Sequence, residues 1–294
     1  MQPATFSELI EDAIQVLIGT GNVIAPRQEA QALAAHVFGA DAEVLPPDGR
    51  PDDASSARFA ALLDRRADGV PLGHLTGVAT LGGVEVLVGP GVFVPRAQSE
   101  AVLAHGLAVT EQVMGPLVVD LGTGSGALAL AVAHRRPDAT VHAVDCDPPA
   151  LDYARRNSER RVALGDTPIV LHEADFAGPE LLAELDGTVD LVLANPPFMP
   201  DEAQLPPEFG VHQPQLAVFG GPDGLDVIRQ TVQTAGRLLA PGGSLVLEHG
   251  HLHAEAVAAL LGADDRFGSV SGHLDQYGYP LFTAAARNHD GAAG

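Results

Sequence analysis

"LVVDLGTGSGALALAVAHRR", Leu117 to Arg136, is the stretch from which the fold can be read. An apolar run closes on Asp120, glycines recur at 122, 124 and 126, and a helical Ala/Leu-rich segment follows. That is a strand, a tight turn and a helix, with a backbone at the turn bare enough for close approach of a ligand. The same alternation continues downstream through "TVHAVD", "PALDYARRNSERRVA", "PIVLHEAD" and "VDLVLANPP". A later helix, about Leu225 to Leu239, ends at "APGG" and leads into the strand "SLVLEHG". Strand–helix alternation with short connections predicts an α/β fold, a parallel sheet covered on both faces. "FGSVSGHLDQYGYPLFTAAA" breaks the alternation and predicts a terminal antiparallel hairpin, and the closing "NHDGAAG" predicts a disordered tail.

Upstream the period changes. Apolar residues recur every three or four positions in Thr5–Ile18, Pro26–Phe38 and Ala54–Ala67, as in Leu9, Ile10, Ala13, Ile14 and Leu17. "LPPDGRPDD" separates the last two patterns as a loop. A small helical domain ending near Gly69 is expected. "VATLGGVEVLVGPGVFVP", valine-rich and broken by Gly-Gly and Gly-Pro-Gly, predicts a β-hairpin, followed by a helix from about Gln98 to Val113. The expected division is a helical domain over 1–70, a hairpin connector over 71–95, the sheet domain over 96–287 and a tail over 288–294.

The chain has 294 residues, enough for one large or two unequal domains, and is 46% hydrophobic. It carries 16 Lys+Arg against 38 Asp+Glu, a net charge of −22, and every one of those basic residues is arginine. Such a balance argues against a phosphate-backbone footprint. The densest basic run, "RRNSERR" from Arg155 to Arg161, reads as the solvated face of one helix. A single cysteine, Cys146, excludes an internal disulfide and fits a reducing compartment. No positively charged stretch followed by an apolar one opens the chain, and no apolar run reaches membrane-spanning length. A soluble, cytoplasmic protein without a membrane partner is expected.

The glycine turn has the spacing G-x-G-x-G rather than the G-x-G-x-x-G of dinucleotide binders. Asp145, at the end of the next strand, can accept hydrogen bonds from vicinal ribose hydroxyls. A nucleoside without a pyrophosphate is implied, and S-adenosylmethionine fits, held by Gly122, Thr123, Gly124, Ser125, Gly126 and Asp145. "ADF" at the third strand's end adds Asp175 as an acceptor for an adenine amino group. Phe176 there is either a stacking ring or a core aromatic.

"NPPF", Asn195 to Phe198, ends the fourth strand. One proline would stop a strand; two make the Pro196 carbonyl's direction rigid. A planar nitrogen about to be methylated presents two N–H groups, which the Asn195 side-chain oxygen and the Pro196 carbonyl can accept. Accepting both supports positive charge on nitrogen and aims its lone pair at the methyl donor. Phe198 can stack on the planar group. "EHGHLHAE" places His249, His251 and His253 at alternate positions, but no acid–histidine helix pair or cysteine completes a metal set, so no metal is expected. Cys146 has no partner constellation and reads as a small strand-end residue.

On these motifs the chain resembles the protein-(glutamine-N5) methyltransferases, the HemK/PrmC-type family that methylates the Gly-Gly-Gln loop of peptide-chain release factors. "PLGHLTG" and "VFVPRAQSE" resemble the family's hairpin region, "DLGTGSGALALA" its cofactor loop, "NPPF" its Asn-Pro-Pro-Tyr, and "PEFGVHQPQLAVFGGPDGL" the loop that follows. The resemblance implies a seven-stranded Rossmann-like class I methyltransferase sheet with an N-terminal helical substrate-recognition domain. It implies S-adenosylmethionine on Gly122 to Gly126, Asp145, Phe176 and Asn195. The glutamine side chain would be held by Asn195, Pro196, Pro197 and Phe198, with Asn195 and Pro196 catalytic.

Departures from the family pattern cluster on the substrate side. Phe198 replaces a tyrosine, Ala97 and Gln98 stand for proline and aspartate, Gln213 for glutamate and Tyr279 for arginine, whereas Glu208, His273, Asp275 and Gly278 are kept. A cofactor-binding module without catalysis is disfavoured by the intact Asn195, and two further alternatives stay open. One is a paralogue acting on a glutamine of another protein. The other is an adenine-N6 or guanine-N2 nucleic-acid methyltransferase, against which the −22 charge weighs.

Overall fold

The computed structural model describes residues 4–40, 44–176, 178 and 180–289. The chain opens with α1 (Phe6–Thr20), α2 (Pro26–Phe38), α3 (Asp53–Ala67) and the short α4 (Leu72–Thr76). Strands β1 (Val78–Leu81) and β2 (Val84–Leu87) follow, then α5 (Ser99–Val109), β3 (Leu117–Leu121), α6 (Ala127–Arg135) and β4 (Thr140–Asp145). After α7 (Pro148–Ala163) come β5 (Val170–Glu173), β6 (Val189–Ala194) and the four-residue α8 (Pro207–Gly210). The last elements are α9 (Asp226–Leu238), β7 (Leu239–Glu248), α10 (Ala254–Gly262), β8 (Phe267–Leu274) and β9 (Pro280–Arg287). The chain forms two compact units: one from Met1–Val78 with Gln204–Gln213, the other from Ala79–Ala203 with Pro214–Gly294. Within the expected tail, residues 290–294 lie outside the described residues.

The helical unit follows from its capping. Thr5 and Glu8 close a reciprocal box at the start of α1, the Glu8 N–H donating to Thr5 Oγ1 at 3.2 Å and the Thr5 N–H to Glu8 Oε2 at 2.8 Å. Asp52 Oδ1 accepts the Ser55 N–H at 2.7 Å to start α3, and Gly39, at φ 73°, ends α2. The stripes so aligned bury Ala13, Ile14, Leu17, Leu33, Phe59 and Leu63 in one core. Arg66 on α3 is buried with them. Its guanidinium binds Glu29 of α2 and donates to Glu208 Oε2 of α8 at 2.8 Å. This ion triad fastens the remote segment Gln204–Gln213 to the helices.

In the second unit β1 and β2 are joined by Gly82 and Gly83, both at positive φ (60° and 79°), as a two-residue hairpin of this twist requires. The paired region is shorter than the sequence suggests. Leu72–Thr76 turns helical behind Pro71, and Gly89-Pro90 ends the strand region because proline has no N–H for a ladder.

The main sheet has seven strands in the order β5-β4-β3-β6-β7-β9-β8. The first five are parallel, and β9 runs antiparallel to both β7 and β8. Alternate residues serve opposite faces: Val118, Leu191, Leu193 and Val246 join α5, α6 and the hairpin, while Val119, Val192, Leu245 and Leu247 join α9 and α10. Helix α6 buries every residue from Ala127 to Ala133, which explains its lack of a polar face. After β5 the chain returns to the other side of β3 to form β6. The β3–β6 boundary is therefore the topological switch point, where open α/β sheets form a crevice.

Two local readings change. Ala240–Gly243, read as the end of a helix, lies inside β7 as a bulge, the register jumping from Val189↔Leu239 to Leu191↔Ser244. Helix α10 was not anticipated, although Val257 and Leu261 bury at i, i+4 spacing. The arginines of α7 are engaged locally: Arg155 with Asp152, Arg160 with Glu85, Arg161 with Asp166, and Arg156 over the Tyr153 ring. Among the described residues no helix is long and apolar enough to cross a membrane.

Candidate active site

Register places the sequence-predicted residues in one row at the carboxyl edge of the sheet. Leu121 pairs with Val144 on one side and with Ala194 on the other, and Ala194 pairs with Leu247. The next residues along these strands, Gly122, Asp145, Asn195 and Glu248, therefore stand side by side at the switch point.

Gly122, Gly124 and Gly126 all adopt positive φ, at 75°, 57° and 83°. A side chain at any of them would strain the turn. The Gly122 and Thr123 amides both donate to the Val144 carbonyl at 2.9 Å, tying the turn to β4. Asp145 completes the link: Oδ2 accepts the Gly124 N–H at 2.7 Å and Oδ1 the Asp147 N–H at 3.0 Å. Each carboxylate oxygen keeps a second lone pair for another donor. Burial pushes the Asp145 carboxyl above its ordinary range. The space above Gly124 is open, with no heavy atom within 4 Å of where a Cβ would stand. Thr123 and Ser125 are buried. Thr123 Oγ1 donates to Asp120 Oδ2 at 2.7 Å, and burial raises Asp120 to about 6.

Phe176 is buried in the core with Val119, Leu121 and Val144, its Cε1 atom 3.9 Å from where a Cβ on Gly122 would be. The ring flanks the glycine turn while most of its surface serves the core. Cys146 is exposed beside Asp145; partial burial, Asp145 and Asp175 push its thiol up, which disfavours a nucleophilic thiolate.

The Asn195 amide is half-buried and makes no side-chain hydrogen bond among the described residues, so both its oxygen and its nitrogen remain for a ligand. Pro196 is buried; Pro197 and Phe198 are partly exposed. The turn is held by the loop Phe219–Leu225, which pairs with it through a bridge between Met199 and Phe219. The Met199 N–H donates to Val218 O at 2.9 Å and the Gly220 N–H to Met199 O at 2.8 Å. The loop's glycines are steric necessities: a Cβ on Gly220 would lie 2.5 Å from the Pro197 carbonyl oxygen, and one on Gly224 2.2 Å from that of Phe198. The Phe198 ring rests against Gly250 and near the His253 ring, centroids 6.2 Å apart.

Glu248 is the site residue that sequence reasoning missed. It is buried, and its carboxylate accepts from Ser99 Oγ at 2.7 Å and from Gln98 Nε2 at 3.2 Å. Burial raises its carboxyl; Ser99, Gln98 and Arg96 work the other way. The departure at Gln98 thus lies beside the site, where an amide gives this acid a neutral donor. An acid ending a strand of the alternation, as Asp120 and Asp145 do, was the signal available. The three alternating histidines serve separate ends: His249 bonds Thr283 Oγ1 at 2.8 Å, His251 lies beside Tyr279, and His253 reaches the Asp223 carbonyl at 3.3 Å.

Known proteins match nearly the whole chain. Residues 8–77 match the family model described as the PrmC N-terminal domain, and residues 84–207 that described as the Methyltransferase small domain. The release factor glutamine methyltransferase of Mycobacterium tuberculosis H37Rv is 42% identical over 280 residues, 94% of this chain and 90% of the relative. That of Mycolicibacterium smegmatis is 43% identical over 279 residues, 95% and 96% of the two chains. That of Streptomyces coelicolor is 38% identical over 282 residues, again 95% and 96%. Among solved structures, a release factor-specific protein-(glutamine-N5) methyltransferase from Alicyclobacillus acidocaldarius is 25% identical with a TM-score of 0.41. It covers 69% of this chain and 99% of that one. With relatives so similar over nearly their full length, the chain belongs to the release factor glutamine methyltransferase family.

Proposed function

We propose that this protein methylates the side-chain amide nitrogen, N5, of a glutamine in a peptide-chain release factor, in the Gly-Gly-Gln loop, with S-adenosylmethionine as donor. The observation that carries the reading is the row Asp145–Gly122–Asn195 at the switch point, ending on an Asn195 amide that the described residues leave for a ligand. When bound, S-adenosylmethionine supplies an electrophilic methyl on a sulfonium.

The residues present fit that cofactor. Asp145 has a lone pair on each oxygen for the two ribose hydroxyls, and the side-chain-free turn Gly122–Gly126 leaves room beside it. Thr123 and Ser125 shape that turn from below, and Phe176 flanks the adenine end. Asp120, Asp145 and Asp147 bring negative charge to the crevice, which favours a cationic ligand.

At the acceptor, Asn195 Oδ1 and the Pro196 carbonyl take the two hydrogens of the glutamine amide. Accepting both supports the positive charge that develops on N5 and aims its lone pair at the methyl. Asn195 Oδ1 and the Pro196 carbonyl hold the two N5 hydrogens while the methyl transfers, the S–C bonding pair remaining on sulfur, and one of these hydrogens passes to water as a proton once N5 carries the methyl. Pro196 and Pro197 fix the accepting carbonyl, so little entropy is lost in aligning it. Phe198 covers the planar amide. The helical unit of residues 1–70 recognises the release factor outside the loop, and the enzyme acts in the cytoplasm, where translation terminates.

The test is mass spectrometry of purified release factor after incubation with enzyme and cofactor. One added methyl on the loop glutamine supports the reading. Methylation of a different protein keeps the chemistry and discards this substrate; transfer to RNA or DNA overturns both.

A further inference from the structure

The carboxyl edge of the sheet continues past Glu248. Glu248 pairs with Phe282, and Phe282 pairs with His273. Strand β8 runs parallel to β7, so its end and the turn Asp275–Tyr279 lie on the same edge as the Asn-Pro-Pro-Phe turn. Asp275 fixes that turn by accepting the Tyr277 and Tyr279 N–H groups at 2.8 and 2.9 Å. Between the two features runs the one-turn helix His251–His253.

Ring pairs mark both ends of this path. Phe198 packs on Gly250 and lies beside His253, and the His251 ring lies 6.0 Å from that of Tyr279. Around them four apolar or aromatic side chains face solvent: Leu252 is 82% exposed, Tyr277 71%, Tyr279 61% and Leu274 60%. Apolar groups this exposed, clustered in one region and continuous with the acceptor site, are characteristic of a binding surface.

The charge around this surface is mainly acidic, with Arg229 and Arg266 occupied by neighbouring aspartates. The segments 195–203, 214–228, 249–265 and 267–286, from which the edge is drawn, contain no lysine or arginine, although Arg229, Arg266 and Arg287 immediately follow three of them. They carry Asp201, Glu202, Asp223, Asp226, Glu255, Asp264, Asp265 and Asp275, of which Asp223, Asp226 and Asp264 pair with arginines, whereas Asp201 and Glu202 are exposed just beyond Phe198.

From these observations we propose that Leu252, Tyr277 and Tyr279 form a docking ledge for the polypeptide flanking the acceptor glutamine. The flank it fits carries an apolar anchor for the ledge and basic residues for the acidic rim. The inference rests on the proposed function above and adds where the protein substrate is gripped beyond its reacting side chain. Both Tyr277 and Tyr279 present large rigid faces at low entropic cost, as aromatic anchors do.

The experiment is steady-state methylation of full-length release factor by the intact enzyme and by Leu252→Ser/Tyr279→Ser, with Tyr279→Phe as the conservative control. The double variant is expected to raise KM for release factor by about tenfold or more, the loss typical of a truncated interface anchor. Turnover at saturating release factor and KM for S-adenosylmethionine should stay within about twofold, and Tyr279→Phe should behave as wild type. Raising salt should raise the wild-type KM for release factor, because the basic flank is screened from the acidic rim. An unchanged KM in the double variant while wild type remains active overturns the ledge and leaves the proposed function standing. A wild-type enzyme that leaves release factor unmodified overturns the proposed function, and the ledge with it.

Discussion

Arg66 on α3 donates to the carboxylate of Glu208 at 2.8 Å, joining residues 142 apart in sequence inside the helical unit. Gly69 sharpens the contact: at φ 92° it turns α3 away, and a Cβ there would stand 2.8 Å from Pro207 Cβ. Removing the cation leaves Glu29 and Glu208 facing each other with little water. Arg66→Met is therefore expected to cost about 3 kcal/mol of stability. Limited proteolysis should then cut within residues 204–213 faster than in the wild type. An unchanged melting temperature with an unchanged cleavage pattern would mean the triad holds nothing.

Asp145 joins the glycine turn to the loop after β4 through the Gly124 and Asp147 amides. Asp145→Ala should remove the ribose acceptors, each hydrogen bond to a charged group contributing about 1.5–3 kcal/mol. Calorimetry should record binding of S-adenosylmethionine weakened by at least about tenfold. Unaltered affinity would place the ligand elsewhere.

The Asn195 side chain has no hydrogen bond to lose among the described residues, so Asn195→Ala should leave the fold and cofactor affinity close to wild type. Turnover should fall by about 10²–10³, by analogy with the loss of one oxyanion-hole donor. Phe198→Tyr should change the rate little, whereas Phe198→Ala should lower it substantially, because the stacking face rather than a hydroxyl does the covering. Activity of Asn195→Ala within a few-fold of wild type would reduce the motif to a strand stop.

Asp120 gives a pH dependence with a definite sign. Burial raises its carboxyl to about 6 in the folded state. A carboxyl raised on folding contributes stability that is fully present below the ordinary value near 4 and is lost as pH rises through about 6. The difference amounts to on the order of 3 kcal/mol between those limits. Denaturant unfolding of wild type and Asp120→Asn from pH 4 to 7.5 should show the wild type losing ground to the variant across that window. Parallel curves would show that Asp120 does not change protonation there.

Gly220 leaves 2.5 Å between its missing Cβ and the Pro197 carbonyl oxygen. Gly220→Ala must displace one of the two loops, at a cost of about 1–3 kcal/mol as for other overpacked sites. Turnover should fall with little change in cofactor affinity, since the displaced residues belong to the acceptor side. A variant as active and as stable as wild type would show the loop yielding without moving the Asn-Pro-Pro-Phe turn.

The periodic parts of this chain were legible one residue after another. Strand–helix alternation, the glycine turn closed by Asp145, and the two prolines after Asn195 are local patterns, because backbone sterics and burial on a regular element act within a few residues. From them alone followed the parallel sheet, the terminal hairpin and the three N-terminal helices, and with them the expectation of a nucleoside ligand at the carboxyl edge. Tertiary structure decided what depends on residues distant in sequence. Glu248 becomes part of the site because β7 pairs beside β6, and its partners Gln98 and Ser99 come from 150 and 149 residues away. Phe176, which the sequence left divided between ligand and core, is drawn into the core by neighbours on β3, β4 and β6. The segment after the Asn-Pro-Pro-Phe turn joins the helical unit through Arg66, buried with two carboxylates, and through Gly69 packed on Pro207. Desolvating a charge is costly unless its counter-charge is delivered by the fold, and which acid arrives is settled by packing rather than by local propensity.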